Sequence, residues 1–274
     1  MFEPGIPFRL GPRVQRLVAP NPGVMTGPGT NTYLLGDKEI AVLDPGPLLD
    51  EHVAAILEAG AGRIRWIVTT HTHPDHSPAW LPIQQATGAQ VIGALPWDDK
   101  FQDDTFAPDV EVEHDYLLST DEFNLRAVYT PGHVGNHFCY LLEEDGMLFT
   151  GDHIMQGSTV VIVPPSGDMK AYIDSLRLLL DYPLKALAPG HGSVIDDPAG
   201  AVNWLVNHRL KREQKVVDSL QQTGAADLDT LVLVVYDDVD ASLHEMAKLS
   251  MTAHLIKLQQ ESRAHLDGDH WSLV

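Results

Sequence analysis

"THTHPDHS", residues 70–77, places three histidines and an aspartate (His71, His73, Asp75 and His76) within six positions. It follows "RWIVT", a β-branched run that reads as a buried strand. Pro74 keeps the cluster out of regular structure, because proline fixes φ and lacks a backbone donor. In such an irregular loop, neighbouring side chains can converge on one point. Three later loops repeat the arrangement of a strand, a glycine and a donor. His133 follows "AVYTPG", Asp152 follows "MLFTG" and His191 follows "ALAPG". Sites in layered α/β proteins lie in the crevice beyond strand ends, so one shared site is geometrically reasonable.

Five histidines and two aspartates make seven donors. That exceeds one tetrahedral zinc and suits two metals sharing a carboxylate. One metal takes His71, His73 and His133. The other takes Asp75, His76 and His191, with Asp152 bridging. Zinc is the expected ion at both positions, although sets containing carboxylates also accept manganese or iron. Two metals roughly 3.5–4 Å apart lower the pKa of a trapped water and stabilise charge on a substrate oxygen. The chemistry implied is hydrolysis by metal-bound hydroxide, with Asp75 and Asp152 as the catalytic carboxylates and no serine or cysteine nucleophile.

The surrounding pattern is α/β. "TNTYLLG" (30–36) and "KEIAVLD" (38–44) read as strands joined by a turn at Gly36-Asp37. A helix follows over 48–60, with Asp50 as its cap and Gly60 as its stop. A short helix at 79–88 tolerates Pro82 in its first turn, and "AQVIGA" is the next strand. The acidic stretch 97–122, with Asp98 and Asp99 near its start and Lys100 as its one cation, reads as loop with one short strand. In this loop Trp97, Phe101 and Phe106 are candidates to line a pocket. "FNLRAVYT", "FCYLLEED" and "GMLFTGD" are strands, the last two joined by a hairpin at Asp145-Gly146. A helix at 167–182 precedes the short strand that ends at His191. Strands alternating with helices indicate a layered domain over 1-200. Residues 201-274 read as a long amphipathic helix, further helices and a two-stranded wing turning at Asp267-Gly268. They form a linker helix plus a small winged-helix-like domain.

The formal net charge of -20 works against polyanion binding, which needs a basic footprint. From Gly224 onward nine acidic residues face three basic ones, the wrong sign for a DNA-reading wing. The locally basic "HRLKREQK" reads as a helix face paired with acidic neighbours. The single cysteine, Cys139, excludes an internal disulfide and sits in an apolar strand. No secretory signal and no transmembrane run are evident, so the expected location is cytoplasmic, with no membrane partner. His137 reads as structural, and His153 as adjacent to the site without ligating.

His71-Thr72-His73-Pro74-Asp75-His76 matches an HxHxDH signature, and "TPGH", "FTGD" and "PGHG" supply His133, Asp152 and His191 in order. This set resembles the metallo-β-lactamase superfamily. The resemblance implies a four-layer αββα sandwich with the metals at one edge and the ligand roles given above. "GPGTNTYLLG", "NHRLKREQ" and the C-terminal segment resemble the lactamase-beta-like branch, which includes a single-strand-specific endoribonuclease. Val134 departs from the threonine usual in that branch after the "PGH" histidine.

Because one fold hosts many reactions, the family does not fix the substrate. The leading expectation is a dinuclear metal-dependent hydrolase acting on an ester, thioester or lactone of a small organic substrate. The alternatives are a single-strand-specific endoribonuclease with RNA as partner and a β-lactamase. A non-enzymatic alternative is a winged-helix regulator with a vestigial metal domain, which the complete ligand set argues against. Oligomeric state is left open.

Overall fold

The computed structural model describes residues 2–97 and 99–274; Asp98, counted above in the acidic stretch, lies outside the described residues. The chain divides into two compact units. The first comprises the residues up to Thr130, Asn136–Ser158 and Pro183–Pro198, and the second comprises Pro131–Gly135, Thr159–Tyr182 and Ala199–Val274.

The first unit is built on two sheets. Seven strands form one, in sequential order: β1 (Phe8–Arg9), β2 (Val14–Val18), β3 (Asn31–Leu35), β4 (Ile40–Leu43), β5 (Ile64–Val68), β6 (Gln90–Gly93) and β7 (Val110–Glu111). β1 to β4 pair antiparallel and β4 to β7 parallel. The other sheet has the order β12-β11-β10-β9-β8, from β8 (Leu117–Ser119), β9 (Asn124–Tyr129), β10 (Phe138–Leu142), β11 (Met147–Gly151) and β12 (Ala186–Pro189). Alternation of side chains explains why β4 and the ends of β3 and β5 (Tyr33–Leu35, Ile67–Val68) read as apolar runs, since both faces are buried there. Tyr33, Leu35, Leu43 and Val68 face a core shared with Leu125, Phe138, Tyr140 and Phe149 of the second sheet. Leu34, Val42 and Ile67 face the other way, against Ile56 of helix α1 (Asp50–Gly60) and Trp80 and Ile83 of helix α2 (Trp80–Thr87). The layers helix, sheet, sheet therefore follow from the sequence pattern.

The second unit holds helices α3 (Met169–Leu178), α4 (Pro198–Thr223), α5 (Leu228–Val235) and α6 (His244–Gln260), with a small sheet of β13 (Ala225–Ala226), β15 (His270–Leu273) and β14 (Ala264–Asp267) in that order. Asp168 and Asp227 cap α3 and α5 by accepting from Ala171 N and Thr230 N, at 2.8 Å each. The unit's own core joins Val216 and Leu220 of α4 to Leu231, Met251, Leu255 and Trp271.

Several expectations change. β2 falls outside the sequence reading because "VQRLV" interleaves polar residues, yet Arg16 in its middle is buried. Asp50 is not the cap of α1. Leu49 occupies that position with no side-chain bond, and Asp50 lies in the first turn. The acidic stretch contains two short strands, β7 and β8, rather than one. The last fifty residues hold two α-helices, α5 and α6, with a short 3-10 turn at Ala241–Leu243 between them. Phe106 is buried in the core beneath α2, whereas Trp97 and Phe101 are exposed. Cys139 is fully buried on β10, and burial pushes its thiol up to about 12. In the basic stretch of α4, Arg209 and Arg212 are buried. Arg212 pairs with both carboxylate oxygens of Asp238 at 2.7 and 3.1 Å, and Lys215 with Asp237 at 2.6 Å.

Leu255→Ala is expected to destabilise the second unit by about 2–5 kcal/mol, the usual cost of a buried leucine cavity, measured by urea denaturation. His254 is fully buried, and burial holds it at about 4 against 6.5 for a free imidazole. The unfolded chain therefore binds a proton as the pH falls below 6.5, while the folded chain resists until about 4. His254 should contribute a loss of stability across that window of up to about 1.4 kcal/mol per pH unit, and the slope should fall by that share in a folded His254→Gln variant.

Candidate metal centre

Strand β5 ends at Val68, and the chain then runs irregularly through Thr70, His71, His73, Asp75 and His76 before α2. β11 ends at Gly151, delivering Asp152, and β12 ends at Pro189, delivering His191 through Gly190. All these residues belong to the first unit. Gly190 has a specific reason to be glycine. A Cβ there would sit 2.6 Å from His76 Cε1 and 2.8 Å from Asp152 Oδ1, so only a bare backbone lets the two loops close.

The loops bring four donor atoms into an alternating square. Asp75 Oδ2 lies 3.4 Å from His76 Nε2 and 3.2 Å from His191 Nε2. Asp152 Oδ1 lies 3.3 Å and 3.4 Å from the same two nitrogens. Beside it, His71 Nε2 and His73 Nδ1 are 3.0 Å apart. Donor atoms of His71, His76 and Asp152 all fall within 4.8 Å of one another, as do those of Asp75, His76 and His191. His133 lies in Pro131–Gly135, which belongs to the second unit, where its Nδ1 is 2.9 Å from the carbonyl oxygen of Val161.

The electrostatics separate these groups. Burial, with His76, His73 and His137 nearby, holds His71 well below the usual imidazole range, so it stays neutral with a lone pair to offer. Burial opposes a charged His76, yet Asp75, Asp152 and Asp44 outweigh it and raise His76 well above that range. His191 is raised to about 9, the carboxylates Asp152 and Asp75 again overcoming burial. Asp75 and Asp152 are both held low by the same histidines against the opposing effect of burial. Two carboxylates and two imidazoles facing one another in a largely buried site thus call for positive charge, which protons or a divalent cation can supply. The donor set fits nitrogen- and oxygen-binding metals such as zinc.

Residues outside the sequence-read ligand set hold this arrangement. Asp44, at the end of β4, is completely buried; its Oδ2 is 3.0 Å from His76 Nδ1 and 2.9 Å from Thr70 Oγ1, and its Oδ1 accepts from Thr70 N at 2.7 Å. The signal was present in "IAVLD", a carboxylate closing an otherwise apolar strand. Thr30 Oγ1 lies 3.3 Å from Asp75 Oδ2. Asn31 Nδ2 donates to the carbonyls of Pro189 and Gly192 on either side of His191, at 2.9 and 3.0 Å. His137 is buried, its Nδ1 2.9 Å from Thr130 Oγ1 and its ring 5.1 Å from that of His71. His153 is also buried, with its ring 5.8 Å from that of His137.

Two loops attached to the ligand loop carry exposed apolar residues. One bears Val24 and Met25 and is tied through Asn21 to Thr30. The other bears Leu95, Trp97 and Phe101. Asn136 Nδ2 donates to Leu95 O at 3.0 Å and to Thr72 Oγ1 at 2.8 Å, and Ser77 Oγ donates to Asp103 Oδ2 at 2.8 Å, so this second loop is also fastened to residues 70–77.

Comparison with known proteins agrees with this geometry. Residues 25–191 match the Metallo-beta-lactamase superfamily, and residues 228–271 match the Beta-lactamase associated winged helix domain. A Beta-lactamase-like protein 2 homolog of Drosophila melanogaster is 33% identical over 273 residues, covering 93% of this chain and 90% of its own. An Atrochrysone carboxyl ACP thioesterase of Aspergillus chevalieri is 32% identical, covering 78% of this chain and 68% of its own. The crystal structure of a metallo-beta-lactamase family protein from Thermus thermophilus shares the fold with a TM-score of 0.80 at 20% identity, over 97% of this chain and 100% of that one. The chain belongs to the metallo-β-lactamase superfamily of hydrolases and carries a C-terminal β-lactamase-associated winged helix domain.

Proposed function

We propose that the chain is a dinuclear metal-dependent hydrolase of a small organic ester, with a thioester as the leading substrate class. The observation that carries the reading is the square formed by Asp75, His76, Asp152 and His191, a set of nitrogen and oxygen donors suited to a divalent cation. In this reading His71, His73 and His133 hold one metal, Asp75, His76 and His191 the other, and Asp152 lies between them. Zinc suits the set, and manganese or iron are the alternatives. Residues 1-200 provide the chemistry, and 201-274 a linker helix and accessory domain.

When bound, such a metal pair supplies a water of lowered pKa and an electrophile for the carbonyl oxygen. The chain's own residues do the rest. Asp44 holds the proton on His76 Nδ1 and so turns the Nε2 lone pair to the site. Asp75 accepts the proton of the attacking water at Oδ1, the oxygen not turned to the two histidines, and returns it to the departing thiol or alcohol. The exposed apolar residues Val24, Met25, Leu95, Trp97 and Phe101 receive the acyl portion. Support for a thioester comes from the fungal relative named as a thioesterase. The net charge of -20 disfavours a polyanionic substrate.

A panel of a p-nitrophenyl ester, an acyl thioester, a lactone, nitrocefin and single-stranded RNA, with and without chelator, tests the substrate class. Chelator-sensitive thioester turnover at least about tenfold above the other substrates is expected, and RNA cleavage without ester turnover would reverse the assignment. Purified protein should carry close to two metals per chain by elemental analysis. Asp152→Ala should lower both metal content and turnover, the latter by more than about 100-fold, beyond the range for a residue that only orients a ligand. Metal-free protein keeps a proton on His191 below about pH 9 and one on His76 above the normal imidazole range. Loading at neutral pH should therefore release about two protons, measured by calorimetry in buffers of different ionisation enthalpy, and apparent affinity should fall as the pH is lowered.

A further inference from the structure

We infer that Thr30 is a positioning residue for Asp75, with Asn21 setting the direction of its hydroxyl proton. This inference rests on the metal-centre reading above and assigns a role to residues outside the ligand set. A threonine hydroxyl has one proton and can accept as well as donate. Thr30 N–H donates to Asn21 Oδ1 at 2.9 Å, which fixes the orientation of the Asn21 amide. Asn21 Nδ2 then faces Thr30 Oγ1 at 3.0 Å and must donate to it. With its acceptor side occupied, the Thr30 hydroxyl directs its proton toward Asp75 Oδ2 at 3.3 Å. Thr30 is fully buried, so water does not compete for that proton.

Asp75 Oδ2 is the oxygen that meets His76 Nε2 and His191 Nε2. One hydrogen bond to that oxygen fixes the plane of the carboxylate and leaves its other lone pair aimed into the square. The clamp is rigid at its far end. Thr26 Oγ1 donates to the Asn21 carbonyl at 2.5 Å, and the backbone of Thr30 pairs with that of His191. Removing the hydroxyl frees the carboxylate to rotate and weakens the one position to which Asp75 contributes. The position held by His71 and His73 is untouched.

The test is titration of metal-free protein with Zn2+ in competition with a chromophoric chelator, together with the melting temperature of each metal-free variant. Wild type should bind in two resolved events. Thr30→Val, nearly isosteric but without the donor, should weaken one event by about 10–100-fold, the range typical for groups that orient a ligand, while the other event and the metal-free melting temperature stay unchanged. Thr30→Ser should restore wild-type binding. Asn21→Ala keeps the hydroxyl but releases its direction, and should weaken the same event by a smaller factor; it also serves if Thr30→Val does not fold. Two unchanged events in a folded Thr30→Val or, failing that, in Asn21→Ala would overturn the positioning role and leave the metal-centre reading standing. Equal weakening of both events with a lowered melting temperature would also overturn it, marking Thr30 as merely structural. Fewer than two events in wild type would overturn the metal-centre reading and this inference with it.

Discussion

Two carboxylates approach two imidazole nitrogens within 3.4 Å in a site that excludes most water, and the rest of the first unit accommodates that fact. Such groups cannot lie together without compensating charge or directed hydrogen bonds. Asp44 with its three polar contacts, Thr70, Thr30 and the Asn31 clamp on the His191 turn are the directed bonds. Thr30 and Asn31 lie at the start of β3, Asp44 at the end of β4 and Thr70 beyond β5, while Asp152 and His191 follow β11 and β12, which is why the site requires both sheets. The core residues Tyr33 and Phe149, with ring centroids 4.9 Å apart, register one sheet against the other directly beneath it. Tyr33 OH adds a bond to the Pro189 carbonyl at 2.7 Å.

Much of this was legible in the chain itself. Continuous apolar strands ending in a charged residue announced both the sheet and the edge where chemistry collects. Asp145-Gly146 and Asp267-Gly268 marked hairpins that pair as expected, β10 with β11 and β14 with β15. What escaped was set by tertiary context. β2 sets Gln15 and Arg16 side by side among apolar residues, and its pairing with β3 along its whole length makes it a strand despite them. Phe106 resembled a rim aromatic because its neighbours are acidic, but the chain folds back and seats it against Trp80, with ring centroids 5.7 Å apart. Asp44 is marked only as a carboxylate closing an apolar strand and Thr30 not at all, since their significance depends on residues dozens of positions away.

The same logic bears on substrate choice. A chain of net charge -20 creates a field that slows the approach of polyanions, while neutral acyl compounds are indifferent to it. Arg209 and Arg212, the buried cations of the basic stretch of α4, are consumed inside the second unit by the Val160 and Val235 carbonyls and by Asp238. Among the described residues, the exposed large side chains fastened to the ligand loop, Leu95, Trp97 and Phe101, are apolar, with Lys100 beside Phe101.

Cys139 has a practical consequence. Its thiol is the chain's only one, lies on β10 next to its first residue, and is held protonated by burial. An alkylating reagent requires the thiolate and physical access, and neither exists while β10 remains paired on both sides. The labelling rate of native protein therefore reports how often the sheet carrying His137 and Asp152 parts from its neighbours, a clock for sub-global opening that needs no engineered probe.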